Sequence, residues 1–141
     1  MAGLCSNSVR QAAVVNWMLL GVYFTRELLH KMKKARTPNC LGCSENAIET
    51  LNHLLLHCEF FKNIRESYLP QYLQQNKHVS DILDNEELIM QMILDPLSSK
   101  LPGIVTTNWM SVKAVYNISR QLCYNINKKR EKFYSELDEK T

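Results

Sequence analysis

The 141-residue chain is 45% hydrophobic and carries 17 Lys and Arg against 14 Asp and Glu, a net charge of +3. A chain of this length buries roughly 70% of its unfolded surface and needs no covalent staple, and so small a net charge excludes a global field that would by itself select a polyanion. Five cysteines, an odd number, argue against the disulfide framework of a secreted domain and for a reducing compartment, nucleus or cytoplasm.

In chain order, the first predicted element is a long helix over residues 8–34, where apolar positions crowd one side and no proline interrupts. Gly21 is its weak point, a place for a kink or for close packing. The apolar run 12–24 inside it is broken by Asn16 and falls short of the about 20 apolar residues of a bilayer span. No small-residue cleavage site follows it, and the next stretch turns cationic, so no membrane is expected as a partner. Thr37-Pro38 stops the helix.

The next segment carries the most chemistry. Cys40, Cys43, His53 and Cys58 follow in the order C-x2-C-x9-H-x4-C. Two cysteines two residues apart can grip one metal ion from a tight turn, and a histidine and a third thiol can close a tetrahedral zinc shell. Gly42 offers the turn its backbone freedom. A short helix over 50–57 presents the second pair. On an unbroken helix His53 and His57 share a face, whereas Cys58 sits about 140° round from His53. Simple geometry therefore favours a Cys2His2 set with His57. A helix that tightens or ends near Cys58, and the greater value of a thiolate, favour Cys3His. Spacing alone leaves the fourth ligand open.

Beyond the motif, a helix is predicted over 59–69, until Pro70 interferes. Ser80 or Asp81 then caps a helix over 82–94, and residues 95–103 form a loop by composition. A long last helix over 107–137 has Val112, Val115, Ile118, Leu122, Ile126 and Phe133 at core spacing. The class is all-α. Two basic clusters stand out: Lys31, Lys33, Lys34 and Arg36 just before the first cysteine, and Lys128, Lys129, Arg130 and Lys132 in the last helix, where Glu136, Asp138 and Glu139 counter them. The first group is the candidate nucleic-acid-binding surface, against the alternative of a solvated helix face. Tyr23, Tyr68, Tyr72 and Tyr116 are candidate base-stacking residues, though tyrosines at helical spacing more often serve a core. Cys5 and Cys123 read as lone packing thiols.

From about Trp17 to Arg65 the chain resembles the zinc-binding region at the C-terminal end of reverse transcriptases from non-LTR retrotransposons. The resemblance rests on the Gly-x-Tyr step at Gly21 and Tyr23, the Pro-x-Cys-x-x-Cys turn from Pro38 to Cys43, the Glu-Thr-x-x-His-x4-Cys run of Glu49, Thr50, His53 and Cys58, and a following arginine, Arg65. Glu59 stands where that family commonly has proline, which affects how the next helix begins. The resemblance implies zinc held by Cys40, Cys43, His53 and Cys58, with His57 outside the shell, and a role in engaging RNA or DNA.

No Asp-Asp pair of a polymerase palm is present, and Asp81, Asp84, Asp95 and Asp138 are scattered. A chain of this length has no room for a polymerase beside the zinc region, so a non-enzymatic module is expected, resembling a detached C-terminal piece. The alternative is a structural or protein-interaction zinc domain of a degenerate retroelement fragment. The expected organisation is an N-terminal helix (1–36), a zinc module (37–75) and a helical remainder (76–141), together forming one small helical domain built around the knuckle.

Overall fold

The computed structural model describes residues 2–75, 77–98, 101 and 109–140. Among these the regular structure is helical, and extended chain pairs at one antiparallel bridge, Asn39 with Ile48. The all-α class and the long last helix stand as expected.

The long first helix is interrupted. α1 (Ala2–Leu19) stops at Gly21, whose φ of 74° is left-handed. Val22 N–H bonds back to Trp17 O at 3.0 Å and Gly21 N–H to Met18 O at 3.3 Å, the paired closure that ends a helix on a glycine. Thr25 starts a separate helix, α2 (Arg26–Lys31), by accepting from Leu28 N–H on its hydroxyl. The absence of proline is therefore a poor guide here, since a glycine stop followed four residues later by a threonine cap divides the helix.

α2 closes with the same paired bonds as α1. Lys34 N–H reaches Leu29 O at 2.8 Å and Lys33 N–H reaches His30 O at 2.9 Å. In α2 the left-handed residue is Lys33, φ 62°, a conformation that L side chains adopt at some cost.

α3 (Lys62–Gln75) runs through Pro70, against the expectation that the proline would end it. Tyr72 beyond the proline is buried and bonds through its hydroxyl to Ser119 Oγ at 2.8 Å. The side chain of Gln71 donates to Ser67 O. Tertiary packing thus holds the turn that lost its backbone donor. The helix expected over 82–94 is instead a 3-10 turn (Lys77–Ile82) followed by α4 (Glu86–Leu94). Asn85 is its cap, accepting from Leu88 N–H at 3.1 Å, with Glu86 and Glu87 in the first turn.

α5 (Trp109–Lys140) is the spine, packing on α1, α3 and α4. Val112, Val115, Ile118, Leu122 and Ile126 make one buried seam, each such side chain stabilising by about 1.5–3 kcal/mol before conformational entropy. Phe133 is half-buried against Phe60. The start expected at 107 and part of the 95–103 loop lie outside the described residues, as does the side chain of Cys5. Cys123 is fully buried, the packing role expected of it. No helix among the described residues is long and apolar enough to cross a membrane.

Candidate metal centre

Two short arms carry the cluster. Cys40 N–H bonds to Ala47 O and Glu49 N–H to Pro38 O, both at 2.8 Å. These bonds, with the Asn39–Ile48 bridge, zip residues 38–49 into a hairpin with Cys43 in its loop. Asn46 takes a left-handed φ of 55° in that loop, and its side chain receives the Asn39 amide at 2.9 Å. Gly42 relieves crowding and takes no left-handed backbone. A Cβ there would meet the Phe60 ring at 3.1 Å.

The second arm settles which side chains face the first. His53–His57 is a π-helical turn, with Cys58 N–H bonding to His53 O at 2.7 Å across five residues. Such a turn holds more residues than the 3.6 of an α turn. The residue five after His53 therefore swings back toward the histidine's face, and Cys58 leaves the helix in extended conformation. The 140° offset of an ideal helix does not apply. His57 points elsewhere and pairs with Glu86 on the surface.

As a result Cys40, Cys43, His53 and Cys58 place one ligand atom each within 4.8 Å of one another, a group that can hold a metal ion. Cys40 Sγ to Cys58 Sγ is 3.7 Å and Cys43 Sγ to His53 Nε2 is 3.4 Å. The sulfur pair is far beyond a disulfide bond of about 2.05 Å, and these thiols are free. Both distances match edges of a tetrahedron around zinc, which are about 3.8 Å between sulfurs and about 3.6 Å from sulfur to nitrogen for Zn–S near 2.3 Å and Zn–N near 2.05 Å.

Cys40, His53 and Cys58 are buried and Cys43 is partly exposed. Burial pushes the Cys40 thiol up to about 12 and the Cys58 thiol upward, and it lowers the His53 pKa. The protein alone thus favours neutral thiols and a neutral imidazole. A divalent cation supplies the charge that stabilises thiolates in such a place. Arg65 donates to Leu54 O beside this arm; burial lowers its pKa, while the Cys58 sulfur acts in the opposite direction.

Behind the cluster lies a polar network that the spacing of ligands did not reveal. The fully buried Glu49 carboxylate accepts on Oε1 from Arg130 Nη2 at 2.7 Å, Arg130 Nε at 3.2 Å and Arg26 N–H at 2.8 Å. Tyr134 donates its hydroxyl to Oε2. Arg130 also donates to Phe24 O at 2.8 Å. Burial opposes its charge, but the Glu49 bonds outweigh that and its pKa is raised. Tyr23, pushed up to about 12 by burial against the pull of Arg130, donates to Asn127 Oδ1 at 2.6 Å. A signal for this network was present. Leu122, Ile126, Arg130 and Tyr134 recur every four residues, so the arginine prolongs the buried seam of α5.

The two basic clusters part company. Lys31, Lys33, Lys34 and Arg36 are all exposed, and among the described residues the one ion pair they make is Lys31 with Glu27 at 4.0 Å. Of the second cluster, Arg130 is buried, Lys129 donates to Phe60 O at 2.6 Å over the Phe60 ring, and Lys128 lies over Tyr124. The tyrosines named as stacking candidates are likewise engaged. Tyr23 and Tyr72 are buried, Tyr68 accepts from Asn125, and Tyr116 lies under Arg120.

Comparison with known protein families, with characterised proteins and with solved structures finds no match to this chain.

Proposed function

We propose that the chain is a zinc-binding, nucleic-acid-binding module without catalytic activity of its own, related to the C-terminal zinc region of non-LTR retrotransposon reverse transcriptases. The observation that carries the metal reading is the convergence of three thiols and one imidazole at tetrahedral edge distances. Such a set fills zinc's shell and leaves no position for an activated water, which is the pattern of a structural site. The relationship to reverse transcriptases rests on the motif order in the sequence. The nucleic-acid reading is supported by the four exposed cations at the end of α2 and directly before Cys40, where a metal-fixed hairpin would orient them along a phosphate backbone.

Metal analysis of the purified chain tests the first part. One zinc per chain is expected, lost in Cys58→Ser and kept in His57→Ala; the reverse pattern makes the site Cys2His2 and removes the family reading's ligand set. Primer extension with magnesium or manganese checks the absence of polymerase activity, and template-directed synthesis by clean protein would overturn it.

A second reading, a zinc-stabilised protein-interaction domain, is favoured by Trp17, Leu20, Val22 and Phe24, large apolar side chains all about half exposed or more around the α1–α2 connection. Salt-dependent binding to single-stranded RNA, single-stranded DNA or duplex DNA decides. Its absence from zinc-loaded protein at low ionic strength leaves the interaction reading standing.

A further inference from the structure

Glu49 lies outside the ligand group, yet it is fully buried, and among the described residues the donors to its carboxylate come from outside the ligand hairpin. An exchange of such an ion pair for apolar side chains is often neutral or favourable to stability, so stability alone is a poor reason for its presence. Its place in the chain offers a better one. Glu49 N–H closes the first arm on Pro38 O. The next residue, Thr50, begins the second arm, its hydroxyl accepting from His53 N–H at 3.1 Å and its carbonyl from Leu54 N–H. Arg26, whose own N–H meets the Glu49 carboxylate, reaches round with its guanidinium to Asn39 O at 2.9 Å, the carbonyl just before Cys40.

Resting on the zinc reading above, we infer that Glu49 is a positioning residue of the metal site. Anchored by Arg130 and Tyr134 of α5 and by Arg26 of α2, it holds the Cys40–Cys43 arm and the His53–Cys58 arm in register. Metal affinity is therefore set in part by a helix that contributes no ligand. The hairpin bonds fix the first arm and the π-helical turn fixes the second, but the junction between arms is short, and a swing there moves both second-arm ligands together. The bonds to the carboxylate arrest that swing.

The test uses the full-length chain, zinc affinity by chelator competition, and cobalt(II) as a spectroscopic probe of the ligand shell. Tyr134→Phe removes one donor to the carboxylate from a half-buried position and should fold. Glu49→Gln with Arg130→Met removes both charges together and avoids leaving either buried and unpaired. Both variants should keep wild-type helical content and metal-free melting. Zinc affinity should fall severalfold in the first and by about 10- to 100-fold in the second, the usual range for losing outer-shell support. The tetrahedral cobalt bands should shift or weaken in the same order. Wild-type affinity and cobalt spectrum in either folded variant overturns the inference, because a purely structural pair would change melting and leave the metal untouched. If the double variant does not fold, Tyr134→Phe decides. If the unaltered chain binds no metal, it is the zinc reading that fails.

Discussion

The two basic runs look alike in the sequence, four cations within six residues at Lys31–Arg36 and four within five at Lys128–Lys132, yet the fold leaves the first wholly exposed and takes the middle of the second inward. The first remains exposed on the cap of α2 and the approach to the hairpin. The second is split: Lys128 and Lys132 stay exposed, while its arginine neutralises a buried carboxylate and Lys129 ties α5 to the turn after Cys58. What separates them is register. Arg130 falls four residues after Ile126 on a helix whose buried side is already fixed, whereas Lys33 and Lys34 follow the end of a six-residue helix with no buried side chain of its own. Local charge density therefore says little about use until the helix phase is known.

The largest expected effect comes from the metal, and it should act on one run alone. Zinc in structural sites of the proposed kind carries an apparent free energy of about 10–16 kcal/mol near neutral pH, which in this chain would be tied to the hairpin and, through Arg26 and Glu49, to α2. Stripping zinc with a chelator should raise amide exchange over residues 26–34 and 38–58. The amides of 118–130 in α5 should stay protected. Simultaneous loss of protection in α5 would show that the two regions fold as one unit, and would erase the distinction between the runs.

Next in size is the arginine itself. Arg130→Met leaves the Glu49 carboxylate buried without its partner, and breaking such a pair costs about 3–5 kcal/mol. Lys34→Met, the same change of charge on an exposed site, should stay within about 0.5 kcal/mol. Urea denaturation of both variants measures the contrast. A small effect of Arg130→Met would mean that the buried pair contributes little to stability, and that Arg130 is less committed to the interior than its geometry implies.

Nucleic-acid binding should show the opposite ranking. Changing Lys31, Lys33, Lys34 and Arg36 to Ala should weaken binding to single-stranded RNA from the about 10⁻⁴–10⁻⁶ M range of non-specific association. The log–log salt slope should flatten by about 0.7 for each phosphate that is no longer neutralised. Lys128→Ala with Lys132→Ala should change the slope less, because Glu136 and its acidic neighbours follow closely in the sequence. Equal effects from both sets would point to a diffuse field instead of an oriented surface.

The class, the α5 seam and the convergence of Cys40, Cys43 and His53 were legible in the sequence, since they follow from apolar periodicity and from ligand spacing, both of which act locally. The choice between Cys58 and His57 was not legible from spacing, because it depends on a π turn that no propensity encodes. The division of the first helix was present in Gly21 and Thr25 but was outweighed by the one-sided apolar pattern and the absence of proline. Pro70 inside α3 and the burial of Glu49 against Arg130 are tertiary decisions. The partners in the ion pair lie 81 residues apart, and only the phase of α5 hinted at them.

The smallest expected effect tests the exposed run from within. α1 and α2 end with the same pair of reverse bonds, but α1 places Gly21 in the left-handed position and α2 places Lys33 there. For an L residue that conformation costs about 1–2 kcal/mol relative to the right-handed one, part of which glycine returns through the greater entropy of its unfolded chain. Lys33→Gly should therefore stabilise the protein, by no more than about 1 kcal/mol. It also removes one cation from the exposed run, so RNA affinity should fall and the salt slope flatten by about 0.7. Stability and binding moving in opposite directions would mark Lys33 as a residue held in a strained conformation for its charge. If Lys33→Gly stabilises and leaves binding unchanged, the first run is a solvated surface, and its difference from the second is one of burial alone.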